Sequence, residues 1–227
     1  MGAPLVAEAA GAALESGPMG APGAGSTAPA RRPRWRAREQ ARAMLEQDRL
    51  AAPAVAYRIV RVSRVDGAEI ELDGKTIHAP VLTGAGGELQ AVAAAVCTLG
   101  AAIERRITAL FAARQPSLAL ALEDIGNEML FRLADRSVAT IRRSARRQGY
   151  ASGNEVSPGD PGLALDLQNT VLELAGAARI AVSAPGAAML FPVKSLSMLV
   201  ALGRGLGSRP APGRCDCCPS RDRCRAK

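Results

Sequence analysis

Two Asp-Gly steps, at 66–67 and 73–74, punctuate the stretch "AYRIVRVSRVDGAEIELDGKTIHAPVL", and no other feature restricts the fold of this chain as strongly. Asp-Gly supplies the positive φ that a tight hairpin turn needs, and β-branched runs flank both steps. Between them Ile70 and Leu72 alternate with Glu69, Glu71 and Asp73, one face in and one face out. The spacing therefore predicts a small antiparallel meander from Val55 onward.

The period then changes. "TGAGGEL" (83–89) is glycine-rich but fits neither phosphate-loop spacing, so a plain loop is expected. "AVAAAVCTLG" (91–100) suits helix or strand by period, since Ala serves both; its Val96-Cys97-Thr98 end favours a buried strand closing at Gly100. Ile103, Ile107 and Leu110 mark a helix over 101–114. Ser117 is expected to cap a longer one, in which Leu118, Leu122, Ile125, Met129 and Leu133 recur. Asp124 and Glu128 could do acid–base work, but Arg132 and Arg136 follow at the same step, which predicts a solvated ion-pair ladder.

Further on, Leu167, Val171 and Leu174 mark an amphipathic helix ending near Gly176. "RIAVSA" and "MLFPVKSLSMLVALG", joined at Pro185-Gly186, predict a second antiparallel pair. In it Leu196, Met198, Val200 and Leu202 pack on one face, while Ser195 and Ser197 point away from the packed side. Strands, helices and strands in blocks give an α+β class: an antiparallel sheet with flanking helices.

Three regions follow. Residues 1–33 are rich in Ala, Gly and Pro and are expected to be a disordered tail. Residues 34–207 form the globular domain, opening on a short amphipathic helix with Trp35, Ala41, Met44 and Leu45 on its apolar strip. Residues 208–227 form a basic, cysteine-rich tail. The first residues lack a basic n-region and carry Glu8 and Glu15, so they read as neither a signal nor a transit peptide. No run approaches the roughly 18 apolar residues of a membrane span, and a cytoplasmic location follows by default.

The net charge of +8 is uneven. Residues 31–50 hold seven arginines against three acids, Arg142, Arg143, Arg146 and Arg147 form a second cluster, and residues 204–227 hold a third. Such clusters are solvated charge or recruit an acidic partner. With aromatics at 3% and no zinc-finger, ribonucleoprotein or recognition-helix pattern, the sequence argues against a nucleic-acid reader.

His78 is the only histidine, which excludes a His₂ metal site within one chain, and no nucleophile-elbow sequence accompanies it. "RCDCCPSRDRC" places Cys215, Cys217, Cys218 and Cys224 close together, and Cys215, Cys218 and Cys224 form C-x2-C-x5-C. Thiolates so spaced suit zinc or an iron–sulfur cluster, with Cys217, Cys97 or a partner's thiol as fourth ligand. The plainer reading is a mobile, reduced thiol tail.

"SPGDPGLALDLQ" (157–168) can be read as a turn with Asp160 as N-cap and Pro161 at the first helical position. Ser157, Pro158 and Gly159, then Leu165, Asp166 and Gln168, also match without a gap a loop and helix of the activation (reactivation) domain of cobalamin-dependent methionine synthase. There the loop reads Arg-x-Ser-Pro-Gly-Tyr and the helix Pro-Leu-Glu-x-Gln. "ARIAVSAPGAAMLFPVKSLSMLVALG" resembles that family's strand pair with Met-x-x-Pro-x-Lys-Ser-Val-Ser, and "CTLG" and "LEDIGNE" resemble segments further upstream. A cysteine-rich C-terminus occurs among its short stand-alone forms. The resemblance covers about residues 35–227, with its specific part at 157–203.

This resemblance implies a helper that binds S-adenosylmethionine and docks on the cobalamin held by a corrinoid methyltransferase. One electron plus the donor's methyl group would then restore methylcobalamin from cob(II)alamin. It implies site residues Glu155, Ser157, Pro158, Gly159 and Asp160 on the loop and Pro192, Lys194, Ser195 and Ser197 on the strand, the last three as polar groups of a docking surface. The family's Arg falls on Glu155 and its Tyr on Asp160, so the position that meets the donor's carboxylate carries reversed charge. Two readings stay open. The first is a reactivation partner, with an electron-donor protein as a further candidate partner. The second is a non-catalytic scaffold of the same fold that has lost the donor site and binds metal or a partner through its cysteines.

Overall fold

The computed structural model describes residues 5–7, 32–84, 86–186 and 189–206. The cysteine tail lies outside them, as does the first segment apart from Leu5–Ala7 and the start of the first helix.

An antiparallel sheet runs through the centre. Its strands are β1 (Leu5–Ala7), β2 (Ala54–Asp66), β3 (Glu69–Leu72), β4 (Lys75–His78), β5 (Glu88–Thr98), β6 (Ala151–Val156) and β7 (Ser195–Arg204). The spatial order is β4-β3-β2-β5-β7-β6, with β1 beside β2. The meander forms as the Asp-Gly steps predict. Asp73 and Gly74 both take positive φ, +54° and +75°, at the β3–β4 turn, and Ile70 and Leu72 are fully buried.

The alanine-rich run is a strand, and its small side chains explain why. Helices cover both faces of β5, and Ala on a pleated strand lets them approach closely. Val92, Ala94 and Val96 face one layer, built from α5 (Gln168–Ala175) and the meander. Ala91, Ala93, Ala95 and Cys97 face the other, under Leu133, Ala134, Val138 and Ile141 of α4 (Pro116–Arg147). A third cluster joins α1 (Arg32–Gln47) and α3 (Ala102–Ala112) to the N-terminal half of α4. The short helix α2 (Pro80–Thr83) follows the meander. Each fully buried Leu or Ile, such as Leu122 or Ile141, contributes about 2 kcal/mol of apolar burial.

The glycine-rich loop has a steric purpose. A Cβ on Gly87 would sit 2.3 Å from the Arg204 carbonyl oxygen, and one on Gly203 would sit 1.8 Å from that of Glu88. The start of β5 and the end of β7 thus touch backbone to backbone, beside a register shift between Leu89 and Ala91.

Several expectations are corrected. "RIAVSA" is not a strand: residues 177–180 form a 3₁₀ turn flanked by left-handed Gly176 and Ala181, and a single Ser183–Phe191 bridge is its β contact. Both edges of β7 are already taken, by β5 and by β6. Strand β6, "ASGNEV", went unpredicted because Ser, Gly and Asn read as turn; a bulge between Ser152 and Glu155 absorbs Gly153 and Asn154 at the sheet edge. Ser117 does not cap α4, which starts at Pro116 after Gln115. Glu128 pairs with Arg38 of α1 rather than within a ladder on its own helix. Trp35 is 67% exposed and lies off the buried strip, on which Ala41 is fully buried.

Candidate functional site

Strand β6 leaves the sheet immediately after Val156, which pairs with Leu199 of β7. The Ser-Pro-Gly loop begins there and closes on itself. The Asp160 carboxylate accepts the Ser157 amide (2.7 Å), the Asp160 amide donates to Ser157 O (2.9 Å) and the Gly159 amide to Leu163 O (2.9 Å). Asp160 is therefore no helix N-cap; a 3₁₀ turn starts at Leu165 and α5 at Gln168. Gly159 takes φ +96°, beside Leu165, and Gly162 takes φ +85°, where a Cβ would press on Val81 of α2.

The chain comes back to β7 at Gln168, whose Nε2 donates to Ser197 Oγ at 2.7 Å, with both residues buried. The loop segment and the start of β7 are thus neighbours. Ser195 Oγ donates to Thr98 Oγ1 (2.8 Å) across the β5–β7 pair, and Thr98 Oγ1 accepts the Gly100 amide (3.0 Å). Ser195 and Ser197 therefore do not point away from the packed side. They share a face with Leu199 and lie at 8% and 3% exposure.

Lys194 is also buried, at 4%. It reaches the other layer, where Nζ pairs with Glu123 and donates to Asn127 Oδ1 (2.9 Å), one turn apart on α4. Gly126 between them leaves room for Ile103 of α3, since a Cβ there would lie 2.9 Å from Ile103 Cδ1, while the lysine stem passes at ordinary contact distance. Lys194, Ser195 and Ser197, expected as polar groups of a docking surface, are thus buried and bonded within the protein. Pro192, after a cis peptide bond to Phe191, is buried as well. What reaches solvent on this segment is apolar: Met189, Phe191 and Val193 are 69%, 54% and 51% exposed. The Val193 amide is anchored to Glu104 of α3 at 2.6 Å.

Glu155 faces α4, where Arg142 Nη2 meets its carboxylate at 3.1 Å and also approaches Gly153 O. Sequence reasoning singled out Glu155 but not this guanidinium; the Thr98, Glu123 and Asn127 partners lie within "CTLG" and "LEDIGNE", segments included in the resemblance without a role assigned to these residues. Arg142 sits in a cluster of like residues, and nothing in its spacing marks it from them.

His78 pairs across the hairpin with Glu69 (2.8 Å) on an exposed edge. Cys97 is fully buried under α4, out of reach of any surface metal. Cys215, Cys217, Cys218 and Cys224 lie outside the described residues, among which no group of three or more His, Cys, Asp or Glu could hold a metal ion. Nor, among them, is any helix long and apolar enough to cross a membrane. A cleft of about 580 Å³ lies elsewhere, between α1 and the α3–α4 turn, lined by Arg36, Gln40, Arg114, Gln115 and Ser117.

No protein-family model matches this chain, and no curated protein does. Among solved structures it is similar to the crystal structure of the MetH reactivation domain bound to AdoHcy, with a TM-score of 0.58 and 15% identity. The match covers 74% of this chain and 64% of that one, just under two thirds of its length. At that identity the likeness is one of fold: an antiparallel sheet with flanking helices, arranged as in the reactivation domain.

Proposed function

We propose that this chain is a reactivation-type accessory of a corrinoid-dependent methyltransferase, docking over the corrinoid with the loop at 157–160 and the apolar segment before β7. The observation that carries this reading is the fold likeness to a MetH reactivation domain. The Ser-Pro-Gly and Pro-x-Lys-Ser-x-Ser segments add to it, because Gln168 and Ser197 tie the two together. Exposed Met189, Phe191 and Val193 suit a large, flat, apolar partner surface better than open water.

The similar domain is bound to AdoHcy, and an S-adenosylmethionine-type ligand is proposed here on that ground. The loop's own charges fit one end of such a ligand. Glu155 and Asp160 suit a sulfonium or an ammonium group and repel a carboxylate. Arg142 is the cation within reach, and Glu155 holds it. S-adenosylmethionine would supply the methyl group and leave as S-adenosylhomocysteine; the chain's residues would orient it and exclude water. An iron–sulfur centre on the cysteine tail, reduced by an electron-donor protein, is part of the same proposal, whereas zinc held there would be structural, since Zn²⁺ carries no electron.

The scaffold reading is favoured by one observation: the amides of Ser157, Gly159 and Asp160 are all bonded within the loop, which offers a ligand few donors. Titration calorimetry with S-adenosylhomocysteine separates the two. Weak binding that strengthens in the combined variant Glu155→Arg, Asp160→Tyr, Arg142→Glu supports a surviving donor site. No heat in either protein leaves the scaffold reading.

A further inference from the structure

Helix α4 is divided by charge. Its N-terminal half carries Glu123, Asp124 and Glu128, and its C-terminal half Arg132, Arg136, Arg142, Arg143, Arg146 and Arg147 with Asp135 the single acid. Two of the three acids are engaged, Glu123 by Lys194 and Glu128 by Arg38, and Arg142 is held by Glu155. The other five arginines are exposed, with Asp135 as the one acid of this half lying among them. At 3.6 residues per turn they fall within an arc of about 100° and along about 22 Å of helix.

A favourable helix dipole accounts for Arg146 and Arg147, which occupy the last turn. It does not account for Arg132, Arg136 and Arg143, because the effect dies out within one turn of the end. Nor does packing, since the buried face of this half is carried by Leu133, Val138 and Ile141. Such a stripe costs self-repulsion in the free protein and lowers its energy when opposite charge covers it.

We propose that this stripe is a docking surface for an acidic face of another protein, one presenting carboxylates at helical spacing. Guanidinium groups at i and i+4 match carboxylates repeated the same way, and each pair can be bidentate. A second copy of this chain fits poorly, because Glu123 and Glu128 are already engaged. A nucleic acid fits less well too. No zinc-finger, ribonucleoprotein or recognition-helix pattern accompanies the arginines. The proposal does not depend on any S-adenosyl ligand or corrinoid.

The test uses the full chain and a fluorescein-labelled helical peptide with Glu at every fourth position, followed by anisotropy at low salt. The variant Arg132→Glu, Arg136→Glu, Arg143→Glu should raise the Kd about tenfold. A control of equal charge change at exposed positions off the stripe, Arg36→Glu, Arg61→Glu, Arg105→Glu, should change it by less than about twofold. Should the reversals lower the helical circular dichroism, the Gln versions of both sets carry the same comparison with a smaller expected loss. Equal weakening by the two sets overturns the proposal, as does a wild-type chain that ignores the peptide. Duplex DNA bound more tightly than the peptide, and lost with the stripe, would assign the surface to nucleic acid instead.

Discussion

Arg142 of α4 and Glu155 of β6 close an ion pair at 3.1 Å across the gap between helix and sheet edge, with side-chain exposures of 35% and 23%. The acid stands where the resemblance places an arginine, and the helix brings a guanidinium to the same spot.

A double-mutant cycle measures this pair. Arg142→Ala and Glu155→Ala should each cost about 0.5–1 kcal/mol in urea unfolding, with a coupling of similar size, as expected for a pair still in touch with solvent. The exchange Arg142→Glu with Glu155→Arg should recover most of the loss. A coupling near zero would show the pair to be incidental.

The Gln168–Ser197 bond joins the loop segment to β7 inside the protein. Gln168→Leu leaves the Ser197 hydroxyl without its donor and should destabilise by about 1–3 kcal/mol. Adding Ser197→Ala removes the stranded hydroxyl and should return part of that. Urea midpoints of the single and double variants decide it.

At Gly203 the backbone leaves no space for a side chain. Gly203→Ala would drive Cβ into the Glu88 carbonyl and should lower stability by about 3 kcal/mol or more, with loss of cooperative melting as the visible sign. The same change at Gly149, which has nothing within 4 Å, costs only its left-handed φ, about 1 kcal/mol.

Much of the architecture was legible. The Asp-Gly turns, the glycine ending α5 and the apolar periods of α3 and α4 are local signals, and each element formed where its signal lay. The failures were tertiary. "RIAVSA" alternates as a strand should, but with β5 and β6 already flanking β7 no edge was open to it. "ASGNEV" carries turn residues and still pairs, because a bulge at an edge strand tolerates them. At the candidate site, Ser195 and Ser197 were expected on the solvent side of a half-buried pair. A sheet covered on both faces has no such side, so the hydroxyls are buried and bonded. Arg142 could not be found from spacing, since its importance lies in a partner thirteen residues away across the helix–sheet gap.

Docking is the core of the functional account, and the binding of this protein to a cobalamin-loaded methyltransferase tests it most directly. Association should be measurable with the wild type and weaken about tenfold when exposed Phe191 and Val193 are both changed to Ser, with the fold intact by circular dichroism. No association, or association indifferent to those two side chains, would contradict it.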